Sequence, residues 1–218
     1  MRRKLPGLVT ILLFAAALTS PAPAQAVKNE IASWDFNVYL NDKKVGNHSF
    51  KVAEQDGVKL VQSEANFKYT ILFIPAYKYE HRAAERWADN CLVDFSASTN
   101  DNGERIRVTG SQTDDGFSVQ RGANPVELPE CVMTFAYWNP DFLEQPRLLN
   151  PQTGEYVDIT VEQAGNDVVE VRGQQIPATR FRLTAYNIDL TLWYSPDDEW
   201  LALESVAKGG HIIRYELS

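Results

Sequence analysis

The sequence predicts an all-β, mainly antiparallel protein: a curved meander forming a closed or half-open barrel, with one short helix around residues 140–145. Three observations carry this. Apolar and polar residues alternate with period two through most of the chain after Val27, as strands with one buried face require. Turn pairs recur at short intervals, with β-branched and aromatic runs between them, which marks consecutive hairpins. Phosphate loops, dinucleotide fingerprints and the βαβ units that carry them are absent. The 218 residues suffice for one sizeable core or two small ones, and 23% charged with 11% aromatic residues describes a folded chain.

The first segment reads as an export leader. Arg2, Arg3 and Lys4 precede an apolar stretch over residues 5–19 that is too short for a bilayer span, and small residues follow it. Cleavage is expected after about Ala24 or Ala26. That gives residues 1–26 as signal peptide and 27–218 as a single antiparallel β domain, periplasmic or secreted, without stable membrane insertion. Removing the three leading basic residues leaves 18 Lys+Arg against 29 Asp+Glu, a net charge of −11. Such a surface is repelled by anionic headgroups and by phosphates, so nucleic acid is excluded as a partner.

In the body of the chain Trp34, Phe36, Val38 and Leu40 share one face of the first strand. About ten strands are expected, among them residues 59–73, 77–87, 156–162, 168–171 and 188–194, with turns at Asn41-Asp42, Asp56-Gly57, Asn102-Gly103, Gly165-Asn166 and Arg172-Gly173. Residues 131–156 break the alternation. Asn139-Pro140 supplies an N-cap with proline at the first helical position, Asp141 and Glu144 lie in the first turn, and Pro146 stops the helix. This segment is expected as a plug or lid over the sheet. The only cysteines, Cys91 and Cys131, form an even number in an oxidising compartment and read as a disulfide.

The densest chemistry lies on residues 73–87. As a strand, it puts Tyr77, Tyr79, His81, Ala83, Glu85 and Trp87 on one face and Lys78, Glu80, Arg82, Ala84 and Arg86 on the other. The second face is solvated. The first mixes rings with two polar groups that must find partners or line a wet cavity. With Tyr137, Trp138 and Trp193 it gives the candidate ligand-binding set: Tyr77, Tyr79, His81, Glu85, Trp87, Tyr137, Trp138 and Trp193. His48, His81 and His211 show no metal-ligand spacing, no nucleophile motif is present, and no cofactor or metal is expected.

The stretches FIPAYKYEHRA (residues 73–83), CVMTFAYWNP (131–140) and LLNPQTGEY (148–156) resemble an uncharacterised family of exported bacterial proteins known only as a domain of unknown function. The resemblance implies a bacterial envelope protein and assigns no catalytic residue. At the level of fold pattern, the hairpin chain is also similar to half-open-barrel periplasmic carriers of lipoproteins, and fold does not imply function. The expected role is therefore binding or carriage of an apolar or amphipathic, lipid-like small molecule rather than catalysis. The alternatives are a small-molecule hydrolase or isomerase using His81 as base and Glu85 as its orienter, and an envelope-assembly scaffold that docks a protein partner.

Overall fold

The computed structural model describes residues 29–71 and 74–218; the expected leader lies outside these residues. Alternation dictates the first half. Eight strands run as one antiparallel meander: β1 (Glu30–Leu40), β2 (Lys43–Gln55), β3 (Val58–Ile71), β4 (Ile74–Ala88), β5 (Cys91–Asp101), β6 (Glu104–Thr113), β7 (Gly116–Gln120) and β8 (Pro125–Leu128). Five further strands, β11 (Thr160–Val171), β12 (Gln174–Ala185), β13 (Ile188–Tyr194), β14 (Trp200–Val206) and β15 (Ile212–Leu217), form a second meander. Pairing of β15 with β1 joins the two into one 13-stranded sheet. Between the meanders, residues 129–159 fold inward as a plug carrying a two-stranded hairpin, β9 (Arg147–Asn150) with β10 (Glu155–Asp158).

Sequence chemistry explains the turns. Asp56-Gly57, Asp89-Asn90, Asn102-Gly103 and Arg172-Gly173 all take positive φ at both central positions, the twist that closes a two-residue hairpin. Three of the four were expected; Asp89-Asn90 was not. Gly165-Asn166 is no turn. Gly165, at φ 117°, sits in a β-bulge where the register of β11 against β12 shifts, so the two expected strands 156–162 and 168–171 are redistributed. The first half of residues 156–162 pairs inside the plug, and the rest joins one long edge strand. A glycine between two alternating runs permits either outcome.

The sheet does not close: among the described residues β8 and β11 are its two unpaired edges. β8 is short and begins with Pro125, while β11 is bulged and carries Glu162, Asp167 and Glu170. Both devices discourage pairing with another chain. The half-open form of the expected barrel is thus the one adopted.

The plug fills one half of the concave side. Val132, Phe142, Leu148 and Leu149 are fully buried, and they pack with Leu92, Phe95 and Phe117 in one apolar cluster. Gly110 makes that packing possible, because a Cβ there would come within 2.5 Å of the Phe95 ring and 2.6 Å of the Phe117 ring. The Cys91–Cys131 disulfide, with Cα atoms 5.0 Å apart, ties the plug to the β4–β5 hairpin. Leu92 N–H donates to the Val132 carbonyl at 3.0 Å beside it. On the opposite side, the Tyr194 hydroxyl donates to the Tyr137 carbonyl at 2.8 Å. The expected helix is a 3-10 turn, Pro140–Glu144, capped by the Asn139 side chain accepting from Asp141 N–H.

Candidate functional site

The alternation expected of β4 holds from His81 to Trp87, whereas Tyr77, expected on the inward face, is 38% exposed. His81, Ala83, Glu85 and Trp87 are buried, whereas Arg82, Ala84 and Arg86 are exposed and Lys78 and Arg82 pair with Glu80 and Glu64 at 2.9 and 2.8 Å. Antiparallel register then extends each inward position into a row across the sheet. At one level stand Phe36, His48, Ala65, His81 and Thr99, so the two histidines flank the small Ala65. One level away lie Gly46, Phe67, Tyr79 and Asp101, with Phe67 and Tyr79 stacked at 5.2 Å. Two levels in the other direction, Val52, Val61, Glu85 and Phe95 form a row whose single polar member is Glu85.

A cavity of about 330 Å³ remains where the plug does not reach. One wall is the inward face of β2–β4, including His48, Phe67, Tyr79, His81 and Glu85; the facing wall is Leu190, Leu203, Ser205, Ile213 and Tyr215 from β13–β15. The plug closes the third side with residues 135–138 and 150–152. The volume lies at the low end of the range of small-ligand pockets, and the lining is mainly apolar with a few polar groups, as such pockets require.

Each buried polar group has a definite arrangement. His48 is hydrogen-bonded at both ring nitrogens, Nδ1 with the Tyr215 hydroxyl at 3.2 Å and Nε2 with the Ser63 hydroxyl at 2.8 Å. Burial, followed by the neighbouring His81, lowers its pKa to about 3. His81 pairs only Nδ1, with the Thr99 hydroxyl at 3.0 Å, and burial lowers its pKa to about 4. Both rings are therefore neutral near pH 7. Glu85 Oε2 accepts from the Trp87 indole N–H at 2.9 Å and more distantly from the Thr134 hydroxyl at 3.5 Å. Burial, opposed by those two donors, pushes its carboxyl up to about 7. Burial also raises the pKa values of Tyr79, Tyr137 and Tyr215, which stay protonated.

Among the described residues, no buried side-chain nitrogen or oxygen lacks a partner. Among the described residues, His81 Nε2, Glu85 Oε1 and the Tyr79 hydroxyl have no hydrogen-bond partner, and all three side chains line the cavity. These atoms can each bond a guest without giving up a native contact.

Of the eight expected site residues, Tyr77, Tyr79, His81, Glu85, Tyr137 and Trp138 line this space. Trp87 and Trp193 do not. Trp87 is packed solid beneath the plug, edge-on to Trp138 at 5.6 Å, and reaches the site only through Glu85. Trp193 is on the outer face, because Leu190, Leu192 and Tyr194 are the inward positions of β13. Its indole donates to Asp167 at 2.8 Å, beside the Arg180–Asp167 ion pair at 3.0 Å. Nor is Glu85 the orienter of His81. Residues four apart on a strand are separated by roughly 13 Å, and Thr99 occupies the His81 nitrogen instead. The expected base-and-orienter pair for a hydrolase or isomerase is not assembled. The sequence reading missed His48, Phe67 and Tyr215 as wall residues. His48 and Phe50 alternate inward on β2, which was legible; that β15 meets β1 and brings Tyr215 over to His48 was not.

Among the described residues, no three His, Cys, Asp or Glu side chains converge in a way that holds a metal. The family profile described as Domain of unknown function (DUF6134) matches residues 36–218. A crystal structure titled as a beta-barrel-like protein of Domain of Unknown Function DUF1849 from Brucella abortus is similar in fold. It has a TM-score of 0.63 and 9% identity, over 85% of this chain and 94% of that one. No curated protein matches the sequence.

Proposed function

The chain belongs to the DUF6134 family of domains of unknown function, and we propose that it binds an apolar or amphipathic, lipid-like ligand in the cavity between plug and sheet. One observation carries this reading: a mainly apolar cavity is lined by His81, Glu85 and Tyr79, whose Nε2, Oε1 and hydroxyl make no hydrogen bond among the described residues. A native core satisfies its polar groups internally, and leaving them open in a cavity of about 330 Å³ is what ligand sites do. Apolar burial supplies affinity at roughly 25 cal/mol per Å², and the polar atoms at His81, Glu85 and Tyr79 set the orientation of the guest. The leader-like start and the paired cysteines support action in the periplasm or outside the cell.

Mass spectrometry of extracts from natively purified, non-reduced protein tests the reading. A co-extracted amphiphile near one per chain is expected. Protein that is empty, and stays empty after incubation with envelope lipid extract, would remove the carrier reading.

A further inference from the structure

We propose that the cavity selects an amphiphile with a cationic head, an alkylammonium or quaternary ammonium, and that Glu85 is the side chain that receives the charge. The inference rests on the ligand-binding reading above and adds the sign of the ligand's charge. Among the described residues, no lysine or arginine lines the cavity, and Glu85 is its one acidic residue. Glu85 is 8% exposed and lines the cavity, and its Oε2 is held by Trp87 and Thr134, which leaves Oε1 without a hydrogen bond among the described residues. A buried carboxylate without an ion-pair partner is costly, so a cationic guest gains by supplying one.

Ring faces supply the second component. Phe67, Tyr79, Phe135, Tyr137 and Trp138 all line the space, and aromatic faces attract cations most strongly where water is excluded. A ring of the cavity wall already makes such a contact: the Lys59 ammonium lies 5.4 Å from the centre of the Trp138 ring. Lys59 stands two residues from Val61, the cross-strand partner of Glu85, and its ammonium lies over the ring. An anionic head, by contrast, would meet Glu85 with no base to offset it. An alcohol head would bond His81 or Tyr79 and leave the carboxylate unmatched.

Calorimetric titration at about pH 8, where Glu85 is mostly ionised, with octyltrimethylammonium, octanol and octanoate separates these cases. The ammonium should bind about tenfold or more tightly than octanol, with octanoate weakest. Glu85→Gln keeps an acceptor for Trp87 and Thr134, and in it the ammonium and the alcohol should fall within about threefold of each other. Equal or tighter binding of octanol or octanoate by the native protein overturns the proposal, and so does an ammonium preference that survives in Glu85→Gln. The native ranking decides alone if the variant does not fold. Equal binding of all three sinks only the charge assignment, whereas binding of none sinks the cavity reading with it.

Discussion

The concave side of this sheet has a filled half and a hollow half, and β4 runs through both. At Trp87 it lies under the plug, where Val132, Phe142, Leu148 and Leu149 are fully buried; from Tyr77 to Glu85 its inward residues border the cavity. The alternation is the same throughout, but the inward residues differ. Under the plug they are shaped to fit neighbours, as in any close-packed interior. Around the cavity they are tyrosines, histidines and serines that fix one another by hydrogen bonds, as His48 does with Ser63 and Tyr215. Such a wall keeps its form without being filled. Glu85 stands on the boundary, with one oxygen in each region.

That contrast breaks most visibly in the filled half. Phe142→Ala should cost about 3–5 kcal/mol, because a fully buried ring leaves an enclosed void. Phe67→Ala, at a half-buried ring already bordering the cavity, should cost about half as much. Urea denaturation of both variants checks the ratio, and equal losses would mean that the hollow half is packed like the other.

Replacing Cys91 and Cys131 by serine releases the link that pins the plug across 40 residues of sequence, at an expected cost of roughly 3–4 kcal/mol. Loss of ligand retention should accompany it, since the plug forms one side of the cavity. Reduced and oxidised protein with equal melting temperatures would contradict this.

Acid stability distinguishes the two regions more finely. His48 and His81 have folded pKa values of about 3 and about 4, below the unfolded value of 6.5. Their contribution is complete above the unfolded value and lost as pH falls towards the folded ones. Glu85, raised from 4.5 to about 7, acts in reverse: its contribution is complete below 4.5 and lost as pH rises through 7. Between these limits the unfolded chain binds one more proton than the folded one, so stability should rise by about 1.4 kcal/mol per pH unit from these three groups. Glu85→Gln removes the opposing group and should roughly double that slope. Denaturation midpoints at pH 5.0 and 6.0 read it directly; an unchanged slope would mean that Glu85 is ionised in the folded protein.

Much of the fold was legible because strand chemistry is local. Trp34, Phe36 and Val38 announce a buried face, and Asp-Gly and Asn-Gly pairs announce hairpins. The inward face of β4 was legible for the same reason. What period two cannot give is register and sheet order. Nothing local says that the last strand pairs with the first, which is what sets Tyr215 beside His48. Trp193 was misplaced because it was grouped with other rings by type; counting alternation from Leu190 would have put it outside. Gly165 is compatible with a turn or a bulge, and only the partner strand decides.

The central claim is that the hollow half is a binding space rather than loose core. Ser205 lines it and carries no side-chain hydrogen bond, so Ser205→Trp should occupy it while changing stability by no more than about 1 kcal/mol. Titration of an uncharged fluorophore, N-phenyl-1-naphthylamine, against native and Ser205→Trp protein tests this most directly. Saturable binding of one fluorophore per native chain, and its loss in the variant, is the expected result. Absence of binding to the native protein, or equal binding to a folded variant, would contradict it.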